Sequence, residues 1–155
     1  MPDGSHGFAT RAIHGGESPD PVTGALNPPL YQTSTYAFTS LAEKQAILSG
    51  EQDGYLYTRD GNPTARMYER KHAALEGAED SVLGASGMGV IAASILSTMA
   101  AGTHLLASDA LYSVAETLFR NDLPRLGIGV TTVDITDLDA VRAAIHPSTI
   151  ALYVE

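Results

Sequence analysis

The run Ala85-Ser86-Gly87-Met88-Gly89 joins a short apolar stretch to a helical pattern. Small side chains let backbone N–H groups approach an anion, and a helix N-terminus adds partial positive charge there. A phosphate is the natural guest. Tight strand–helix packing with no ligand accounts for the same residues, and the local pattern leaves both open. Two other readings fail on spelling. A nucleophile elbow, G-x-S-x-G, would need glycine where Met88 stands, and no G-K-[ST] of a P-loop occurs.

The second group lies in Tyr55-Leu56-Tyr57-Thr58-Arg59-Asp60-Gly61-Asn62-Pro63-Thr64. In an extended chain Tyr57 and Arg59 point to one side. A guanidinium offers a charge-assisted fork to phosphate oxygens, and a phenol adds a neutral donor. The competing reading is an edge strand whose Arg59 pairs with Asp60. A third candidate is Tyr112, in Ser108-Asp109-Ala110-Leu111-Tyr112. At a strand-to-helix junction its ring could lie on a flat cofactor, or simply pack on the sheet. Glu69, His72 and Glu76 share a helix face, which admits a metal geometrically but reads more simply as a solvated charged face. No metal is expected, and His14 shows no partner in the sequence.

Several elements are expected to position these groups. The first forty residues are rich in Pro, Gly, Ser and Thr and lack periodicity, so they read as an extended arm that wraps another subunit. Ser40 and Glu43 form a capping box for a helix over 41–49, with Gly50 as its stop. Residues 55–59 read as a short extended piece. Asn62 caps a helix that begins at Pro63 and ends at Gly77, with Met67, Ala74 and Leu75 on its apolar stripe. An alternation then begins. Apolar 81–85 leads to a helix over 88–101, strand 104–107 to a helix over 112–123, and strand 129–133 to a helix capped by Asp137. A fourth strand candidate covers 149–154. This β-α spacing predicts an α/β fold with a mainly parallel sheet. The expected division is an arm with a short helix over 1–60, then the first part of a larger domain over 61–155. Glu155 follows directly on a strand, where a ligand-side loop is expected, so the sequence reads as truncated there.

Composition narrows the classes. The 155 residues are 44% hydrophobic and 17% charged, a globular profile. The net charge of −9 with no basic cluster argues against a nucleic-acid role. No apolar run approaches the roughly 20 residues of a membrane span. The first residues lack a basic-then-apolar leader, so a cytoplasmic location is expected. With no cysteine, this chain forms no disulfide and no thiolate.

Taken together, the segments resemble the Cys/Met-metabolism (cystathionine γ-synthase-like) family of pyridoxal-phosphate enzymes. Ala9-Thr10-Arg11-Ala12-Ile13-His14-Gly15-Gly16 and Pro28-Pro29-Leu30-Tyr31-Gln32-Thr33-Ser34 look like its opening arm. Tyr57 to Thr64 is similar to its Y-x-R-x-x-N-P-T motif, and Ser86-Gly87-Met88 and Leu111-Tyr112 follow at matching distances. The resemblance implies a type I fold with pyridoxal 5'-phosphate as cofactor and an amino acid as substrate. It also implies a homodimer or homotetramer with shared sites. Gly87 and Met88, beside Ser86, would bind the phosphate of their own subunit. Tyr57 and Arg59 would reach that of a neighbour. Tyr112 would stack on the pyridine ring and help move protons. The implied reaction of the full-length parent is γ-elimination, or γ-replacement by an incoming thiol; the other reading is a non-catalytic module that keeps the fold and lacks the Schiff-base lysine. The family's lysine, in a Ser-x-Thr-Lys motif, is expected beyond residue 155. Lys44 and Lys71 do not match that motif, and both read as solvated-face residues. Methionine γ-lyases often carry cysteine two positions after the stacking tyrosine, where this chain has Val114.

Overall fold

Regular structure starts earlier than the sequence pattern indicates. The structure, a computed structural model, describes residues 6–155. Its first helix, α1, spans Phe8–His14 inside the expected extended arm. The helix was illegible for two physical reasons: it is under two turns long, and its N-cap, Gly7, makes no side-chain capping bond. It packs on α3, Pro63–Glu76. Between them lies α2, Leu41–Ser49, bounded as expected. Ser40 Oγ accepts from Glu43 N at 3.1 Å. The return arm of the box lands one residue early, because the Glu43 carboxylate accepts from Thr39 Oγ1 at 2.6 Å. The Thr39 hydroxyl and then its amide hold the Glu43 carboxyl below its usual range.

Helix α3 is bounded by its predicted caps. Asn62 Oδ1 accepts from Thr64 N at 2.8 Å, and Gly77 closes the helix in the left-handed region at φ 68°. Ala73 is buried, while Met67, Ala74 and Leu75 are half-buried. Gly16, at φ 70°, lies so close to this helix that a Cβ would meet Arg70 C and O at 2.6 Å. Only glycine fits both demands. The piece over 55–59 is less extended than expected. Tyr57 makes one antiparallel bridge with Thr35, and the chain turns at once, with Asp60 N and Gly61 N both donating to Tyr57 O.

Residues through Leu83 form one compact unit and Gly84–Glu155 another. By contacts the chain divides at 83/84, and α3 packs with α1 inside the first unit. Segment 81–85 is not a strand, and Val82 is 86% exposed. It pairs with no strand among the described residues, and a ladder needs a partner.

In the second unit, α4 spans Gly87–Thr98, with Met99 as its C-cap, ending short of the expected Ala101. Strand β1, His104–Ser108, leads to α5, Ser113–Thr117. A π-helical stretch, Leu118–Asp122, and α6, Leu123–Arg125, continue that run. Strand β2 is Gly129–Val133, α7 is Leu138–Ala144 and β3 is Thr149–Tyr153. The fold is α/β, with a parallel sheet of three strands in the order β2-β1-β3 rather than four. Central β1 is buried along its whole length. Leu105 and Ala107 pack with Ile95 and Met99 of α4, and with Ala115, Phe119 and Leu123 of the following helical run. Among the described residues no helix is long and apolar enough to cross a membrane.

Candidate functional site

Each unit contributes its own set of groups. In the first, the turn after Tyr57 brings two predicted residues together by a route different from strand alternation. The Arg59 guanidinium lies over the Tyr57 ring, 4.7 Å from its centroid. Cation–π stacking of this kind suits the weakly hydrated guanidinium. The competing ion pair also forms: Arg59 Nε is 3.7 Å from Asp60 Oδ1, but the Arg59 side chain is 77% exposed. A long pair in open solvent contributes little and leaves the remaining N–H donors available. Tyr57 is itself 38% exposed. The two face solvent side by side, as a phosphate-binding pair requires.

In the second unit the fold supplies a helix N-terminus. Ser86 is the N-cap of α4, in extended conformation, and its Oγ accepts from Gly89 N at 3.1 Å. Gly87 N and Met88 N belong to the first turn, where no carbonyl of the helix can reach them. A Cβ at Gly87 would meet nothing within 4 Å, so the space beside that turn is open. The Ser86 hydroxyl has its lone pair committed to the cap and its proton free to donate. Tyr112 sits just beyond the carboxyl end of β1 as the N-cap of α5 and is 53% exposed. Its backbone N donates to Glu155 Oε2 at 3.2 Å. The residue is thus more than half exposed rather than enclosed against the sheet. The side chain of Met88 and that of Leu111, next to Tyr112 in sequence, both pack against the same core cluster.

The donor set fits a phosphate ester on a flat ring. Each unit's set is of that kind by itself: a guanidinium and a phenol in the first, and in the second two helix-start amides and a hydroxyl, with the exposed Tyr112 for stacking.

Other groups are occupied. Lys71 is not on a solvated face, as it pairs with Glu17 and donates to Ile13 O at 2.9 Å, tying α3 to the arm. The sequence held no signal for that distant partner. Lys44 stands over the Phe38 ring, 5.6 Å from its centroid. Glu69 accepts from Arg66 and from Leu83 N. A cavity of about 460 Å³ opens beside α1 and α3, lined by Arg11, His14, Arg66 and Arg70. Its cationic look is misleading. Arg66 is held bidentately by Asp80 at 2.6 and 2.9 Å, and Arg11 donates to Ala74 O at the end of α3.

Comparison with known proteins shows the family to which the chain belongs. Residues 9–155 match the family described as Cys/Met metabolism PLP-dependent enzyme. An L-methionine γ-lyase of Porphyromonas gingivalis is 42% identical over 149 residues, covering 96% of this chain and 37% of that protein. An O-acetyl-L-homoserine sulfhydrylase of Corynebacterium glutamicum is 39% identical, covering 96% of this chain and 34% of its own length. A solved Campylobacter jejuni protein, with a pyridoxyl-lysine phosphate group, superposes with a TM-score of 0.88 at 28% identity. That match covers 95% of this chain and 36% of the other. The chain thus spans little more than a third of the relatives it matches. Over nearly all of its length, it belongs to the Cys/Met-metabolism family of pyridoxal-phosphate-dependent enzymes.

Proposed function

We propose that the full-length protein carrying this chain performs γ-elimination on γ-substituted L-amino acids, such as methionine or homoserine derivatives. The observation that carries the reading is its 42% identity to an L-methionine γ-lyase along 96% of the chain. The exposed donor set supports it. The cofactor, when bound, supplies an electron sink for bond breaking next to the substrate's α-carbon. The chain's own residues do the rest. Gly87 N, Met88 N and the Ser86 hydroxyl hold the phosphate within their own subunit. Tyr57 Oη and the Arg59 guanidinium close on the phosphate of a neighbouring subunit, which makes the active unit a dimer, or a tetramer built from two such dimers. Tyr112 lies on the pyridine ring, and its Oη holds or moves a proton near the substrate. A cytoplasmic enzyme of amino-acid metabolism fits these roles.

A second reading, γ-replacement, is favoured by one observation. Val114, 47% exposed just after Tyr112, stands where the resemblance to methionine γ-lyases leads one to expect cysteine. Incubating the full-length protein with a homoserine ester, with and without a thiol, separates the two. Release of 2-oxo acid and ammonia supports elimination, and a thioether product supports replacement.

The phosphate reading is tested by Arg59→Ala. Loss of a charge-assisted contact should weaken cofactor binding by roughly tenfold to a hundredfold. Retention equal to the unmutated protein after dialysis, followed by cofactor absorbance, would show that Arg59 serves only Asp60.

A further inference from the structure

The turn that carries Tyr57 and Arg59 has little to hold it. Both side chains are exposed, and its ladder is the single Thr35–Tyr57 bridge. Beyond the backbone bonds of the turn, part of its restraint comes from the residue that follows it. Asn62 is one of three buried polar residues among those described, at 9% exposure. Its carboxamide works in two directions. Oδ1 accepts from Thr64 N at 2.8 Å, which caps α3. Nδ2 donates to Tyr31 O at 3.0 Å and to Thr58 Oγ1 at 3.2 Å. Thr58 lies between Tyr57 and Arg59. Its hydroxyl passes its proton to Thr33 O, and its amide donates to Ser34 O at 2.9 Å. A carboxamide has two N–H donors, and both are used. The opposite amide orientation would set its oxygen against Tyr31 O, so the network fixes which way Asn62 points.

We propose that Asn62 is a positioning residue for phosphate binding. Through Thr58 it holds the turn against the 31–34 segment, so that the Tyr57 phenol and the Arg59 guanidinium address one anion together. This inference rests on the phosphate reading of those two residues. Capping α3 alone needs only an oxygen at position 62, and the two donated bonds are surplus to that task. They go to Thr58, between the two members of the cation–π pair, and to Tyr31 at the start of the facing segment. A group preorganised in this way loses less freedom when it binds, which is where such a tether gains affinity.

Two substitutions separate the cap from the tether in the full-length protein. Asn62→Asp keeps a good capping oxygen but has no N–H to give. Thr58→Val removes the relay hydroxyl and leaves the cap untouched. Apoprotein is titrated with pyridoxal phosphate by absorbance, and the bound phosphate is followed by ³¹P resonance. Melting temperature serves as the control for general damage. Both variants should bind the cofactor about tenfold more weakly, with the ³¹P signal shifted toward that of free cofactor. Thr58→Val should melt as the unmutated protein does. Arg59→Ala is run beside them. If Arg59→Ala binds normally, the phosphate reading fails and this inference falls with it. If Arg59→Ala is weakened while Asn62→Asp and Thr58→Val bind normally, only the positioning role is overturned and Asn62 is a helix cap. If Thr58→Val alone is weakened, Asn62 has no part in the tether. Should Asn62→Asp melt early because of its buried charge, normal binding by Thr58→Val overturns the proposal and weakened binding supports it.

Discussion

His104 is a single residue with the reach of an element. Buried at 4% exposure, it bonds Thr149 Oγ1 of β3 through Nδ1 at 2.8 Å and Thr131 Oγ1 of β2 through Nε2 at 2.9 Å. One imidazole on β1 thus links all three strands. The ring of His146 lies 4.0 Å from it, centroid to centroid. Burial, and then the charge of His146, hold the His104 pKa below its ordinary 6.5. The sign of the consequence follows. Below pH 6.5 the unfolded chain takes up a proton that folded His104 declines, so stability falls as the pH drops. The fall ends only below the depressed folded value. Urea midpoints measured from pH 7.5 down to about 5 should decline through this window, and His104→Gln should flatten the decline. A variant with an unchanged slope would assign the titration elsewhere.

Among the elements, those built from local signals were legible and those built from distant partners were not. Helices α2 and α3 carry their instructions beside them, in Ser40, Glu43, Asn62, Pro63, Gly50 and Gly77, and their observed bounds follow those residues. The strand expected over 81–85 needed a neighbour that composition cannot show. The predicted helix over 112–123 forms, but with a π-helical stretch at Leu118–Asp122, one residue short of Pro124. Proline has no N–H to give, and widening of the turn before it lets Leu123 N reach back five residues to Leu118 O. At the candidate site, residue types were readable while geometry was not. Tyr57 and Arg59 meet by stacking across a turn, a contact that two-residue alternation could not indicate. Gly16 is a further case, since its role depends on Arg70, distant in sequence. Gly16→Ala should cost roughly 1–3 kcal/mol for the left-handed backbone and more for the clash with α3. Gly24→Ala is the control, with φ 71° and nothing within 4 Å of its Cβ. Equal urea midpoints for the two variants would mean that the contact with α3 contributes nothing.

For the whole molecule, the proposed site is divided between chains, with Tyr57 and Arg59 serving a neighbour and Ser86, Gly87, Met88 and Tyr112 serving their own subunit. Complementation tests this arrangement. A Tyr57→Phe/Arg59→Ala variant and a Tyr112→Ala variant, each first shown to be inactive, are unfolded and refolded together. A mixed dimer then has one site with every defect and one with none, so random pairing restores up to about a quarter of full activity. A mixture that stays inactive after verified subunit exchange would place Tyr57 and Arg59 within their own chain's site.

Among the described residues strand β3 is an outer strand of the sheet, with Ile150 and Leu152 each 52% exposed and Val154 56% exposed just beyond it. The strand itself holds no charged residue. Edges of this kind usually carry a lysine or proline as a guard against pairing with other strands. Here the opposing influence is collective, a net charge of −9 spread over the whole chain. Colloidal behaviour should then run opposite to that of a charge-paired assembly. Dilute buffer keeps copies of the chain apart, and added sodium chloride shortens the screening length to about 3 Å at 1 M. Light scattering should record a hydrodynamic radius that grows with ionic strength, and Leu152→Lys should abolish the growth.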